Sequence, residues 1–415
     1  MLDQVHRVSA STTAKASTKA TTRQLFPFAA LSASYFAHIG FFNPYLPLWL
    51  KDMGYGILAI SVFTSIQAAT RLFAPYGWGW LSDHTGERVK LLRYGATVAL
   101  ICSLGLWFDF GNEFRYLGLG AVLLIMFTHT SAMMPMSEAA MAHLVSQGGS
   151  FDAKLYGRVR LFGSLGFLVT VLLAGIWFEQ FGMKHFPAWT AMTLLAVVIS
   201  VWLLPNIKES VSLHEEKVSV LPILKQAPVQ WFFAALFFHV LSHIGIYVFF
   251  SLYLDSLGYS KATIGILWAV SVVVEIFWFY HQSRWLPKFS LSMWMIICSA
   301  IMALRMGITA SSASVLVVLV FAQMMHACTF ATHHTVCIAL LSHHFPGRLR
   351  GRGQALFTVV GYGFSGVLGG ILGGIISTKY GLTSVFYACT ATSLIAVFCA
   401  YKVWQHHKLT QFSLS

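Results

Sequence analysis

At 415 residues, with 57% hydrophobic and 10% charged side chains and a mean hydropathy of +0.69, the chain is too apolar for a soluble domain of its length and reads as a polytopic membrane protein. Its apolar blocks run on for about 20 residues or more, the length a helix needs to cross ~30 Å of hydrocarbon, which excludes a β-barrel of alternating segments of about ten. The net charge of +13 comes without a polar domain in which bases interleave with stacking aromatics, so it belongs to membrane topology and excludes nucleic acid as the partner.

Hydropathy predicts twelve spanning helices, at residues 25–50, 57–81, 91–109, 116–145, 157–180, 187–204, 230–254, 262–283, 291–310, 314–341, 353–378 and 381–403. Residues 1–24 are basic and rich in Ser, Thr and Ala, and are expected to form a disordered cytosolic tail rather than a cleaved signal. The second span carries Arg71 one turn beyond Gln67 on the same stripe. In the fourth, "MMPMS" precedes Glu138, and Pro135 frees a carbonyl as in a helix that lines a cavity. The fifth opens with "LYGRVRLFGSLGF" from Leu155 to Phe167, where Arg160 shares a helical face with Tyr156, Gly163, Ser164 and Phe167 in a pocket-like setting.

The longest polar connection, with "KESVSLHEEK", makes residues 205–229 a cytosolic central loop between six-helix bundles at 25–204 and 230–403. In the seventh span His239 and His243 are spaced for a metal at i, i+4, but no carboxylate or Cys completes such a site, so neither a metal nor a cofactor is expected. Glu275 follows Ser271 in the eighth span, and Arg305 ends the apolar run "MIICSAIMAL" in the ninth. The tenth carries a stripe of His326, Thr329, Phe330 and His333, and residues 404–415 form a second cytosolic tail. All six Cys fall inside apolar runs without CxxC spacing, which reads as packing rather than disulfides.

The tails, the central loop and the other loops after even-numbered spans hold 19 of the 27 Lys and Arg and the opposite loops hold five, so both termini are expected to be cytoplasmic. The remaining three, Arg71, Arg160 and Arg305, lie in spans, and of the 14 acids only Glu138 and Glu275 fall well inside spans, the others lying in tails, loops or at span ends. Each buried charge costs on the order of 3 kcal/mol at the bilayer centre, so five uncompensated ones would cost roughly 15 kcal/mol. They are expected to face one another or a polar cavity, and one Arg remains without an acid.

The halves echo each other. "HIGFFNPYLPLWLKDMGY" from His38 recurs as "HIGIYVFFSLYLDSLGY" from His243, and seventeen residues after the glycine of each "GY" comes Arg71 or Glu275. The loop after the second span, "GWLSDHTGERVK", supplies Gly79, Asp83, Gly86 and Arg88. There the glycines are expected to permit a tight turn and close helix approach, and Asp83 to latch a neighbouring helix end or an Arg. This loop resembles the gating motif of the major facilitator superfamily, with His84 in place of the usual base. The resemblance implies an all-α membrane protein of twelve transmembrane helices in two pseudo-symmetric six-helix halves, with a site near midplane between them.

Within that superfamily "YGRVRLFGSLGF", "SEAAMAHLVS", "SHIGIYVFFSLYLDSLGYS", "GILWAVSVVVEI", "MALRMG" and "MHACTF" resemble the 3-phenylpropionate permease group, related to lactose permease, over about residues 25–403. The resemblance implies that Glu138 and Arg160 bind substrate, and that Glu275, Arg305 and His326 match an acid, an Arg and a His of the lactose permease site. Thr329 stands where that permease has its proton-handling Glu. The expectation is a proton-coupled importer of an aromatic carboxylate working by alternating access. Arg160 or Arg305 would hold the carboxylate, with Arg71 and Tyr156 also at the substrate, Glu275 would carry the proton and His326 would orient it. The expected partners are an anionic aromatic small molecule, protons and the lipid of a cell inner membrane, and the expected state is a monomer. A sugar or nucleoside symporter is the alternative, followed by a drug exporter, for which the fifth span shows no strong antiporter motif. No nucleophile or metal pair suggests an enzyme.

Overall fold

The computed structural model describes residues 22–145, 153–206 and 219–412, and among them there is helix but no strand. Twelve helices are long and apolar enough to cross a membrane. They are α1 (Leu25–Asp52), α2 (Ile57–Thr85), α3 (Arg88–Trp107), α4 (Gly111–Met141), α5 (Val159–Phe181), α6 (Met183–Trp202), α7 (Ala227–Ser256), α8 (Lys261–Lys288), α9 (Leu291–Ser312), α10 (Leu316–His344), α11 (Arg350–Tyr380) and α12 (Leu382–His406). The even number puts both ends of the described chain on one side, called here the terminal side.

The internal repeat has a structural counterpart. Gly54 and Gly258 end α1 and α7 at φ +80° and +83°. The following tyrosine closes the same turn in each half, Tyr55 N–H to Leu50 C=O and Tyr259 N–H to Leu254 C=O, both at 3.1 Å. A left-handed residue here requires glycine, which explains why the "GY" dipeptide recurs.

Five spans are irregular near their middles. α2 breaks at Arg71–Phe73, because Pro75 has no N–H for the carbonyl four residues back and the chain closes 3₁₀-type bonds from Arg71 N–H to Ala68 C=O and from Leu72 N–H to Ala69 C=O. α4 breaks at Ser131–Ala132 ahead of Pro135, the loosening expected there, and Tyr35 Oη and Trp78 Nε1 donate to the carbonyls of Thr130 and Thr128 beside it. α7, α10 and α11 contain wider π-helical turns at Gly245–Phe249, Ala327–Thr332 and Phe357–Phe364. Such turns mark functional positions more often than chance.

The cores show how the halves meet. One apolar cluster unites both halves away from the terminal side, from Phe41 and Tyr45 through Phe178 to Phe249 and Phe386. Towards the terminal side it divides into one cluster per half, around Phe28 and Val197 and around Phe232 and Phe345. The joint away from the termini is made by small residues: Gly366, Gly370 and Gly374 of α11 lie against Ala68, Ser65 and Ser61 of α2, and Gly175 of α5 and Gly265 of α8 close on the Tyr45 hydroxyl. Lys51 pairs with Asp255 at 2.6 Å, and Glu179 accepts from the Lys261 N–H at 2.6 Å. The molecule is closed on that side and divided on the terminal side.

Candidate functional site

The five charges inside the spans fall into three arrangements. Arg160 of α5 pairs with Glu138 of α4 within the N-terminal half, and the pair is open, with side chains 51% and 32% exposed. A hollow with room for about one water lies between Ser32, Ser137, Glu138 and Arg160. Gly163 does not line it but packs against Ser32 and Phe36 of α1, so this small residue on the Arg160 face serves helix approach rather than a pocket. Tyr156 lies in the helix leading into α5, but its side chain is outside the described residues.

Arg305 of α9 is fully buried in the C-terminal half. Its Nη1 donates to Thr329 Oγ1 at 2.8 Å and to His326 Nδ1 at 3.3 Å, and its Nη2 donates to Gln323 Oε1 at 2.8 Å, all three partners on α10. Ser271 of α8 donates to the same Gln323 oxygen at 2.6 Å. Thr329 therefore gives Arg305 a neutral hydroxyl where the resemblance leads one to look for an acid. Glu275 lies 3.4 Å from His326 Nε2, on the far side of the imidazole from Arg305. A guanidinium has only donors, so Nδ1 of His326 must accept. The proton of the neutral ring then sits on Nε2, facing the Glu275 carboxylate. The result is a relay from Arg305 through His326 to Glu275, with the carboxylate 23% exposed.

Arg71 stands apart. At the break in α2, it has no carboxylate within ion-pair distance among the described residues, and its guanidinium lies 5.8 Å from the centroid of the Tyr362 ring, on the π-helical turn of α11. Next to it Leu72 packs against Gly363. A cation from one half thus rests on an aromatic ring from the other, just inside the closed joint. Tyr247 on the π-helical turn of α7 stacks on His243 at 4.7 Å and on Trp268 at 6.5 Å, and lies within electrostatic reach of Arg71, Arg305 and Glu275. Along α10, His326, Phe330 and His334 stack ring on ring at 5.0 and 6.0 Å, and His334 lies within reach of both Arg160 and Glu275. The described residues thus hold two small hollows, one in each half, with an aromatic wall around the one in the C-terminal half.

The loop after α2 matches its expectation in part. Gly86 takes φ +65° and caps the helix, so glycine is required for the turn. Gly79 faces open space, which contradicts a close helix approach there in this conformation. Asp83, in the last turn of α2, meets Arg88, the first residue of α3, at 3.6 Å, its carboxylate exposed and the guanidinium mostly buried, while Arg88 Nε donates to Ser82 Oγ at 3.1 Å. Sequence reading missed Gln323, Tyr247, Trp268 and Tyr362. Only the glycines around Tyr362, in "GYGF", could have signalled an unusual backbone.

Comparison with known proteins places this geometry. The family model described as "MFS_1 like family" matches residues 30–388. A relative from Escherichia coli (strain K12) named "Probable 3-phenylpropionic acid transporter" is 24% identical over 377 residues, covering 89% of this chain and 95% of its own. A maltose permease from Geobacillus stearothermophilus is 22% identical over 340 residues, covering 82% and 84%. Among solved structures, the crystal structure of the nucleoside transporter NupG superposes with a TM-score of 0.74 at 17% identity, covering 92% of this chain and 99% of that one.

Proposed function

The chain belongs to the MFS_1 like family, as a multi-pass transporter of twelve spanning helices, and we propose that it is a proton-coupled importer of an aromatic carboxylate such as 3-phenylpropionate. The observation that carries this reading is Arg71. Of the three cations inside the spans, Arg160 has Glu138 and Arg305 has its hydrogen-bonding α10 partners, whereas among the described residues the Arg71 side chain has no ion-pair or hydrogen-bond partner and lies against the face of Tyr362. A guanidinium near midplane without a counterion calls for an anionic ligand, and the rings of Tyr247 and Tyr362 suit an aromatic body attached to it. We therefore assign the carboxylate to Arg71 rather than to Arg160 or Arg305, with Glu138 and Arg160 completing the polar side of the cavity.

Glu275 carries the proton and His326 orients it. While Glu275 is ionised, the His326 N–H holds it by a charge-assisted bond; protonation weakens that bond and removes one charge from the cavity. Substrate on Arg71 and a proton on Glu275 together lower the charge that must move when the halves rock. The charge count of the loops supports cytoplasmic termini, on our reading in a cell inner membrane. In that orientation this conformation is closed to the outside and divided towards the cytosol.

The open Glu138–Arg160 pair favours a second reading, a sugar or nucleoside symporter, because such a pair can bind hydroxyls. Uptake into proteoliposomes at imposed pH gradients separates the two. Aromatic acids are expected to compete for uptake and sugars and nucleosides are not; uptake of a neutral sugar or nucleoside with indifference to aromatic acids overturns the carboxylate reading.

A further inference from the structure

Besides Arg305 Nε, Gln323 Nε2 and His334 Nδ1, one further buried polar atom near the aromatic wall has no partner. His243 of α7 is 3% exposed, and its Nε2 meets no hydrogen-bonding atom among the described residues. Its neighbours are rings: Tyr247 at 4.7 Å, His326 at 5.4 Å and Phe330 at 6.0 Å. Two other buried histidines of the first and seventh spans are satisfied. His38, its counterpart in the sequence repeat, has Nδ1 3.0 Å from Thr193 Oγ1. His239, one turn earlier, uses both ring nitrogens, Nδ1 with Ser299 Oγ at 3.2 Å and Nε2 donating to the Thr329 carbonyl at 2.8 Å. Leaving a ring nitrogen unpaired in such a place is unfavourable, so its retention points to a group that the protein itself does not supply.

The surroundings define that group. His243 lines a cavity with Tyr247, Phe330, His333 and Tyr362, whose free volume of about 10 Å³ takes one water-sized group. Thr329 of the wall is already engaged, its hydroxyl accepting from Arg305 and its carbonyl from His239. Tyr362 is also the ring on which Arg71 rests, so the cavity adjoins the proposed carboxylate anchor.

We infer that His243 is a specificity-determining residue which takes a hydroxyl on the aromatic ring of the substrate, making the preferred cargo a ring-hydroxylated aryl carboxylate. A hydroxyl is a donor and an acceptor at once, so it pairs with either imidazole tautomer, and it has the size the cavity admits. A buried group aimed at a hydroxyl also discriminates against the analogue that lacks it, because that analogue leaves the imidazole unpaired. The inference rests on the aromatic-carboxylate reading given above.

The test is competition for binding to the purified full-length protein by 3-phenylpropionate and its 3- and 4-hydroxyphenyl analogues, repeated with His243→Phe and His243→Gln. The wild type is expected to favour one hydroxylated acid over the bare acid by roughly ten- to a hundredfold, the range an unpaired buried group implies. In His243→Phe the ratio is expected to fall to near one, and His243→Gln is expected to keep part of it. Should His243→Phe fail to fold, the wild-type ratio and His243→Gln decide. Equal affinity of the wild type for all three acids, or an unchanged ratio in the variants, overturns the assignment and leaves the cavity to a structural water. Binding of a neutral sugar or nucleoside with none of the acids overturns the carboxylate reading itself, and this inference with it.

Discussion

A guanidinium buried with neutral partners does a different job from one left open. Arg305 is held by Thr329, Gln323 and His326 so completely that only its Nε lacks a partner, and it fixes the relay through His326 to Glu275 rather than offering itself to a ligand. If Glu275 is the proton carrier, Glu275→Gln is expected to lose accumulation driven by a pH gradient yet keep exchange of substrate across the membrane. Accumulation by Glu275→Gln would move the proton to another group, with Glu138 the next to test. The open Glu138–Arg160 pair acts differently. Lys keeps the charge but loses the planar fork, so Arg160→Lys is expected to lower uptake about tenfold or more at near-normal membrane abundance. Near-normal uptake by that variant would reduce the pair to a staple between α4 and α5.

At the scale of the elements, the closed side rests on backbone approach. A side chain at Gly370 of α11 would collide with Ser65 of α2, and one at Gly374 with Ser61, so the two helices meet only because these positions lack a Cβ. Gly370→Leu is therefore expected to hold the halves apart on the side away from the termini and stop net transport. A cysteine replacing buried Ser61 in an otherwise cysteine-free protein is then expected to become reactive towards a membrane-impermeant maleimide added from that side. No gain in reactivity would show that this joint is not the gate. The spans were legible in the sequence because roughly 20 apolar residues between charged loops admit little else, and the repeated "GY" announced the shared turn at Gly54 and Gly258. The break in α4 could be read from Pro135, but the π-helical turns of α7, α10 and α11 carry no proline and depend on packing between spans.

For the molecule as a whole, the charges inside the spans could be counted from sequence but not paired. The surplus of three bases over two acids was visible, as was the candidacy of Glu138, Arg160, Glu275, Arg305 and His326. That Arg305 rests on neutral partners and Arg71 on a ring depended on contacts between different helices, Arg71 with Tyr362 and Arg305 with Thr329, and no local pattern encodes those. The role of Thr329 was hidden for the same reason, since a hydroxyl in a span is more often a packing residue than an acceptor for a buried Arg. On the proposed reading, Arg71 is the cation left for an anionic substrate where the two halves meet. The most direct test is the accumulation of radiolabelled 3-phenylpropionate in proteoliposomes under an inwardly directed proton gradient, with wild type and Arg71→Gln side by side. The wild type is expected to concentrate the acid and to lose it on adding a protonophore, while Arg71→Gln concentrates none; accumulation by Arg71→Gln equal to that of the wild type would contradict the account.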